Sequence, residues 1–252
     1  MTDSRRFADR VVLVTGAARG IGGATAEGFA LGGAAVGVLD RDGAEAERVA
    51  EGINQRGGRA LPLAADVAQP AAMTAAVERC GGTFGRLDVL VNNAGIHFAR
   101  AIDEYADEEI DRLLSVNLKG ALHAIRSALP LLRRARGSIV SVSSMTGLVG
   151  QDRGAVYVAT KGALISLTKS LCVECAPGIT VNCVAPGWVD TDMSLTAYAP
   201  EGARERIANT IPLRRIPPAE DIAGPILFLC SHLARHITGE VLNVNGGSVL
   251  CG

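Results

Sequence analysis

The sequence predicts an α/β protein built on one doubly wound parallel sheet of seven strands with helices on both faces. Three observations carry this. Short β-branched and apolar runs alternate with helix-sized segments from end to end. Most of those runs are continuously apolar, as strands covered on both faces are. The first run ends in a glycine-rich turn that opens directly into a helical pattern. The chain has 252 residues, enough for one large domain. No linker, repeat or low-complexity stretch divides it, so residues 1–252 are read as a single domain.

The elements follow in order. The first strand, VVLVT (11–15), runs into TGAARGIGG and a helix. Gly16, Gly20 and Gly22, with Arg19 and Ile21 among them, make a turn on which backbone can approach a pyrophosphate. The spacing is TGxxxGxG, unlike the usual GxGxxG dinucleotide fingerprint. The second strand, AAVGVLD (34–40), ends at Asp40. A carboxylate there accepts hydrogen bonds from a ribose 2′-OH and repels a 2′-phosphate, which favours NAD over NADP. Arg19 and Arg41 are the opposing cations, either of which could take that phosphate. The third strand, ALPLAAD (60–66), delivers Asp66 and Val67 toward an adenine edge by the same strand-end logic.

The fourth strand, LDVLVNN (87–93), ends in Asn93, Ala94 and Gly95, a polar corner where a backbone can come close. His97 follows it as a candidate pocket residue. A long helical pattern over about 107–134 carries Asn117, and SIVSVSS (138–144) is the fifth strand. The next helix, about 155–176, places Tyr157 and Lys161 four residues apart on one face. The sixth strand, ITVNCVA (179–185), leads to Pro186 and Gly187. An irregular insertion over about 188–215 follows, of a length usually reserved for functional loops and expected here as a substrate lid. Its two prolines and its charges argue against core packing. A helix from near Pro218 and the strand EVLNVN (240–245) complete the chain.

Composition narrows the function. Charges are interspersed and sum to −1, with no basic patch interleaved with aromatics, which argues against nucleic acid. The first ten residues lack an apolar signal core, and no run of about 18 apolar residues offers a membrane span. A cytoplasmic protein with no membrane partner is expected. The six cysteines are expected to be reduced, and the Cys172–Cys175 pair to be small apolar fillers. No histidine or carboxylate cluster has ligand spacing, so no metal is expected.

TGAARGIG (15–22), NNAG (92–95), Ser144 thirteen residues before Tyr157, Lys161, and Pro186-Gly187 occur in this order. Together they resemble the short-chain dehydrogenase/reductase family, in the branch without a separate substrate domain. The likeness runs from Arg10 to about Gly247 and implies a Rossmann-like fold. It implies that Asn117 holds a water near the lysine and that Ser144 hydrogen-bonds the substrate oxygen. It also implies that Pro186, Gly187, Val189 and Thr191 meet the nicotinamide carboxamide. Tyr157 is then the general acid/base, and Lys161 also holds the nicotinamide ribose. A free tyrosine has a pKa of about 10, and an adjacent ammonium is expected to favour phenolate by about 1–3 units.

The resemblance implies a soluble NAD(H)-dependent oxidoreductase that interconverts a secondary alcohol and a ketone, with NADP as second choice of cofactor. His97, Trp188, Met193 and Tyr198 are the candidate substrate contacts, with Arg204 and Arg206 facing an acid or solvent. IPLRRIPPAEDIAGPILFL (211–229) is similar to the 3-oxoacyl-carrier-protein reductases. Reduction of such thioesters with NADPH is therefore the alternative. Asp40 and Pro177, where those enzymes commonly carry a base, speak against it, and a carrier protein at Arg133, Arg134 and Arg136 is not favoured. A non-catalytic dinucleotide-binding regulator is the alternative of another class, opposed by the complete Ser144, Tyr157 and Lys161 set. Relatives are mostly tetramers or dimers, so a homotetramer is expected. The helix face with Lys161, Leu164, Leu167, Leu171 and Cys175 is offered as its packing surface.

Overall fold

The computed structural model describes residues 6–250. Seven parallel strands form one sheet in the order β3-β2-β1-β4-β5-β6-β7. They are β1 (Val11–Thr15), β2 (Ala35–Asp40), β3 (Arg59–Ala64), β4 (Val89–Asn92), β5 (Ser138–Val142), β6 (Thr180–Pro186) and β7 (Val241–Val244). Registers such as Val12 opposite Val36 and Val89 keep the strand ends level. The chain winds outward from β1 to β3, then returns to β4 on the other side. The strand order reverses between β1 and β4, and such a reversal opens a crevice at the carboxyl ends of the strands.

Period-two alternation divides the core. Val12, Val14, Val36, Val38, Val89 and Val91 face α1 (Gly20–Leu31), α2 (Gly43–Gln55) and α10 (Glu220–Cys230). Val11, Leu13, Leu90 and Ile139 face α3 (Pro70–Phe84), α5 (Gly120–Ala135) and α7 (Ala155–Glu174). Both faces of the strands are therefore covered, which is why they read as unbroken apolar runs.

Several expectations are corrected. The helix expected over about 107–134 is α4 (Asp107–Leu113), a π-helical segment Leu114–Lys119, and α5. The third strand stops at Ala64, the fourth at Asn92 and the fifth at Val142, so Asp66, Asn93 and Ser144 lie on the loops just beyond. The insertion at 188–215 is largely helical: a 3₁₀ turn Asp192–Ser194, then α8 (Leu195–Tyr198) and α9 (Ala203–Thr210). It also contributes buried apolar residues, Val189, Ala203 and Ile211, despite its prolines and charges.

The face of α7 offered as a packing surface points inward. Lys161, Leu164, Leu171 and Cys175 are buried, and Leu167 packs against the α3-side core. Among the described helices α7 alone is long and apolar enough to cross a membrane, although Lys161, Lys169 and Glu174 interrupt its apolar run, and much of it is buried in the fold. Its apolarity comes from this packing, a property shared by core helices of large sheets.

Candidate active site

The crevice at the β1/β4 reversal is a cleft of about 420 Å³, within the usual range for a small-molecule site. Most of the residues singled out from sequence line it. Gly16, Arg19, Gly20 and Ile21 come from the β1–α1 turn, Asp40 and Arg41 from the end of β2, and Asp66 and Val67 from beyond β3. Asn93, Ala94 and Gly95 come from beyond β4, Ser144 from beyond β5, and Tyr157 and Lys161 from α7. Pro186, Gly187, Val189, Thr191 and Met193 complete the wall.

The glycine turn is locked to the end of β4. Asn93 Nδ2 donates to Thr15 O and Gly16 O, both at 3.0 Å. The Asn93 and Ala94 amides each donate to Thr15 Oγ1 at 3.1 Å. Gly16 sits at φ +64°, and a Cβ there would lie 2.8 Å from Ala94 Cα. A side chain at this point would both strain the backbone and fill the crevice. Gly22 does not line the cleft; it packs behind the turn against Gly16 O and Asn93. A Cβ on Gly20 would stand 3.2 Å from Thr191 Cγ2, so the turn and the first residues of the insertion face each other closely. This bare-backbone cradle at the start of a 12-residue helix fits a dinucleotide pyrophosphate.

The floor of the cleft holds the tyrosine and lysine. Both are buried, at 8% and 4% exposure. Lys161 Nζ donates to Val142 O at 2.8 Å and lies 5.7 Å from the centre of the Tyr157 ring. A Cβ on Gly95 would sit 3.4 Å from that Nζ. Burial pushes Tyr157 up to about 12, with the Ser144 hydroxyl pulling weakly the other way. Burial pushes Lys161 down to about 8. Against the expected lysine-driven lowering, burial raises the tyrosine pKa, because desolvation disfavours the charged form of each residue. At neutral pH the pair is a phenol beside an ammonium.

The two serines divide. Ser143 is buried and donates to Lys161 O at 2.7 Å, tying the end of β5 to α7. Ser144 Oγ accepts from Thr146 N at 3.2 Å and Thr146 Oγ1 at 3.0 Å, which leaves its own hydroxyl proton for the cleft. Asn117 does not line the cleft. Its Oδ1 accepts from Ile96 N at 2.8 Å, and its Nδ2 donates to Ile96 O at 2.9 Å and Thr160 Oγ1 at 3.2 Å. These bonds staple the loop after β4 to α7.

His97 stands outside the cleft lining but packs edge-on against Tyr157, ring centres 4.6 Å apart and planes at 87°. Its Nε2 is 3.4 Å from Gln151 Nε2, and burial lowers its pKa. Trp188 and Tyr198 are neighbours at 6.2 Å, also off the lining, with the Tyr198 hydroxyl donating to Val189 O at 3.1 Å. Arg204 is not held out toward an acid: it forms a forked pair with Asp190 at 2.8 and 2.6 Å. Arg206 donates to Glu201 O at 3.0 Å.

Sequence reasoning missed Asp42, Arg112, Asp192 and Ser194, all of which line the cleft. Arg112 pairs with Asp66 at 3.2 Å just beyond the end of β3. Asp42 had a legible signal, since Asp42-Gly-Ala-Glu45 is an N-cap pattern. Its pairing with Arg19 had none.

The sequence profile of a family described as Enoyl-(Acyl carrier protein) reductase matches residues 16–248. The 3-oxoacyl-[acyl-carrier-protein] reductase of Staphylococcus aureus is 42% identical over 238 residues, 93% of this chain and 96% of that protein. A 3-ketoacyl-(acyl-carrier-protein) reductase from Brucella melitensis, solved in complex with NADH, superposes with a TM-score of 0.91 at 37% identity, covering 97% of this chain and 100% of that one. A protein of the same organism described as short-chain dehydrogenase/reductase SDR:Glucose/ribitol dehydrogenase superposes with a TM-score of 0.94 at 34% identity, over 98% and 100% of the two chains.

Proposed function

We propose, from the premise that the chain belongs to the short-chain dehydrogenase/reductase family of oxidoreductases, that it reduces the ketone of a 3-oxoacyl thioester at the expense of NADH. The similarity to carrier-protein reductases favours this over the oxidation of a free secondary alcohol, which the sequence alone ranked first. The observation that carries the reading is the meeting of Ser144, Tyr157 and Lys161 in one cleft, where Tyr157 can pass a proton to a carbonyl oxygen; the similarity to the reductases supports reduction as the direction.

The roles follow from position. The glycine turn receives the pyrophosphate, and Asp40 the adenosine ribose. Lys161, with its ammonium fixed by Val142 O, meets the nicotinamide ribose. The reduced nicotinamide, when bound, supplies the hydride. Ser144 donates to the ketone oxygen, and Tyr157 delivers the proton as negative charge develops there. The charge left on the phenol oxygen is stabilised by Lys161. Asn117 acts through the loop it holds, and Ser143 through α7. Met193 on the cleft wall is offered to the acyl chain, and His97 supports the Tyr157 ring from outside the lining. A small-molecule thioester suffices for these steps, and the exposed Arg133, Arg134 and Arg136 are available to an acidic carrier. The choice of NADH rests on Asp40, whose carboxylate accepts from Ala18 N at 3.2 Å and Asp42 N at 3.1 Å. These bonds orient the carboxylate at the end of β2, which supports the reading that it accepts from a ribose 2′-OH and repels a 2′-phosphate.

The test follows dinucleotide absorbance with acetoacetyl-thioester and NADH, and in parallel with NAD and a panel of polyols. Thioester reduction, reduced about 10²–10⁴-fold by Tyr157→Phe while NADH affinity stays within about twofold, is the expected outcome. Polyol oxidation without thioester reduction would replace the substrate reading by the sugar-dehydrogenase one. Unchanged turnover in Tyr157→Phe would remove the catalytic reading altogether.

A further inference from the structure

The corner of the cleft at the ends of β1 and β2 carries five charged side chains. Asp40, Asp42, Asp192, Arg19 and Arg41 all line the cleft. A phosphate arriving here would need an available cation. Arg41 is exposed at the rim. Arg19 extends from the glycine turn itself, at the residue that precedes α1. Its guanidinium is already engaged: Nη2 lies 2.8 Å from Asp42 Oδ2, and Nη1 lies 3.7 Å from Asp192 Oδ2 at the start of the insertion.

Asp42 is an anchored partner. It is the N-cap of α2, and its Oδ1 accepts from Glu45 N at 3.2 Å. Its backbone N–H donates to the Asp40 carboxylate at 3.1 Å. One oxygen is therefore committed to the helix and the other to Arg19. An exposed ion pair usually gains little, because two flexible side chains must be ordered to form it. Here the acidic half is fixed by the helix start before the arginine meets it, which lowers that cost.

We propose that Asp42 is a second determinant of dinucleotide choice, a positioning residue that holds Arg19 away from a 2′-phosphate. The inference rests on the dinucleotide reading of the cleft. Asp40 acts on the phosphate directly by like charge. Asp42 acts through Arg19, withdrawing one of the two cations that could compensate Asp40. For NADH, which has a hydroxyl at that position, an engaged Arg19 costs nothing.

The substitution that separates these roles is Asp42→Ser. Serine still caps a helix but is too short to reach the guanidinium. Fluorescence titration with NADH and with NADPH is compared for the wild type, Asp42→Ser, Arg19→Gln and the double variant, without any substrate. Asp42→Ser is expected to tighten NADPH by about three- to fivefold, the size of one exposed charge interaction, with NADH changed less than about twofold. The gain should vanish in the double variant. A ratio of the two affinities that stays at the wild-type value in Asp42→Ser overturns the proposal. So does a gain that survives removal of Arg19, which would leave only bulk charge repulsion. Asp42→Asn, which keeps both the size and the cap, replaces the serine variant if its far-ultraviolet circular dichroism departs from the wild type. Wild-type protein that binds neither dinucleotide would defeat the cofactor reading itself, an outcome distinct from the others.

Discussion

Replacing Lys161 by methionine should make the protein more stable while removing its activity. Lys161 is buried at 4% exposure, and its pKa falls from 10.5 to about 8. Those 2.5 units correspond to about 3 kcal/mol of unfavourable charge burial. The sign follows from proton linkage. The folded state holds this proton less tightly than the unfolded chain, so the cost is complete below pH about 8 and is relieved as pH rises toward 10.5. Methionine is close in length and carries no charge, so Lys161→Met removes that cost. It also strips the donor from Val142 O, an unpaired buried acceptor worth about 1 kcal/mol or somewhat more.

The expected net gain is about 1–2 kcal/mol near pH about 7, shrinking by about 2 kcal/mol and reaching zero or changing sign near pH about 10. Urea unfolding of the cofactor-free protein and the variant, at both pH values and equal protein concentration, reads the difference directly. A variant no more stable than wild type at the lower pH, with the same pH dependence, would show that Lys161 is not the desolvated cation described here. The dinucleotide-dependent reaction should be lost in either case, since the ammonium that faces the cofactor and the phenol is gone.

Further outcomes follow from the same geometry. The rate of ketone reduction under kcat/KM conditions should fall as pH climbs through about 8, where Lys161 loses its proton, while Tyr157 at about 12 stays protonated throughout. A pH profile flat from neutrality to about one unit above that value would contradict the assignment. Gly16→Ala forces a side chain onto φ +64° and to within 2.8 Å of Ala94 Cα. It should cost about 2–3 kcal/mol of stability and weaken NADH binding at least about tenfold; calorimetric titration alongside thermal melting separates the two losses.

Much of the fold was legible because its signals are local. Unbroken apolar runs such as VVLVT and AAVGVLD state that both faces of a strand are covered. The glycines at 16 and 20 state that the chain makes a tight turn, and their φ angles of +64° and +53° are ones that side chains disfavour. Tyr157 and Lys161 four residues apart state that they share a helix face. The helical character of the insertion was less visible. Its prolines, Pro200 and Pro212, flank α9 rather than interrupt it, and its buried residues are scattered singly.

What the sequence by itself determined is therefore the succession of strands and helices along the chain, the glycine turn, and many of the residues that meet at the carboxyl ends of the strands. Only the tertiary structure decided how those residues are charged and whom they touch. A hydrophobic period reports that a helix has a buried side, but not which neighbour covers it, and so the inward face of α7 was taken for an outer one. Spacing reports that a lysine is near a tyrosine. Whether attraction or desolvation wins depends on the dielectric that the whole fold creates around both. Arg19 and Asp42 are 23 residues apart in sequence and belong to two different βα turns; only packing β1 beside β2 brings them within a hydrogen bond. Local pattern encodes conformation and burial, whereas partner choice and electrostatics depend on distances set by the assembled sheet.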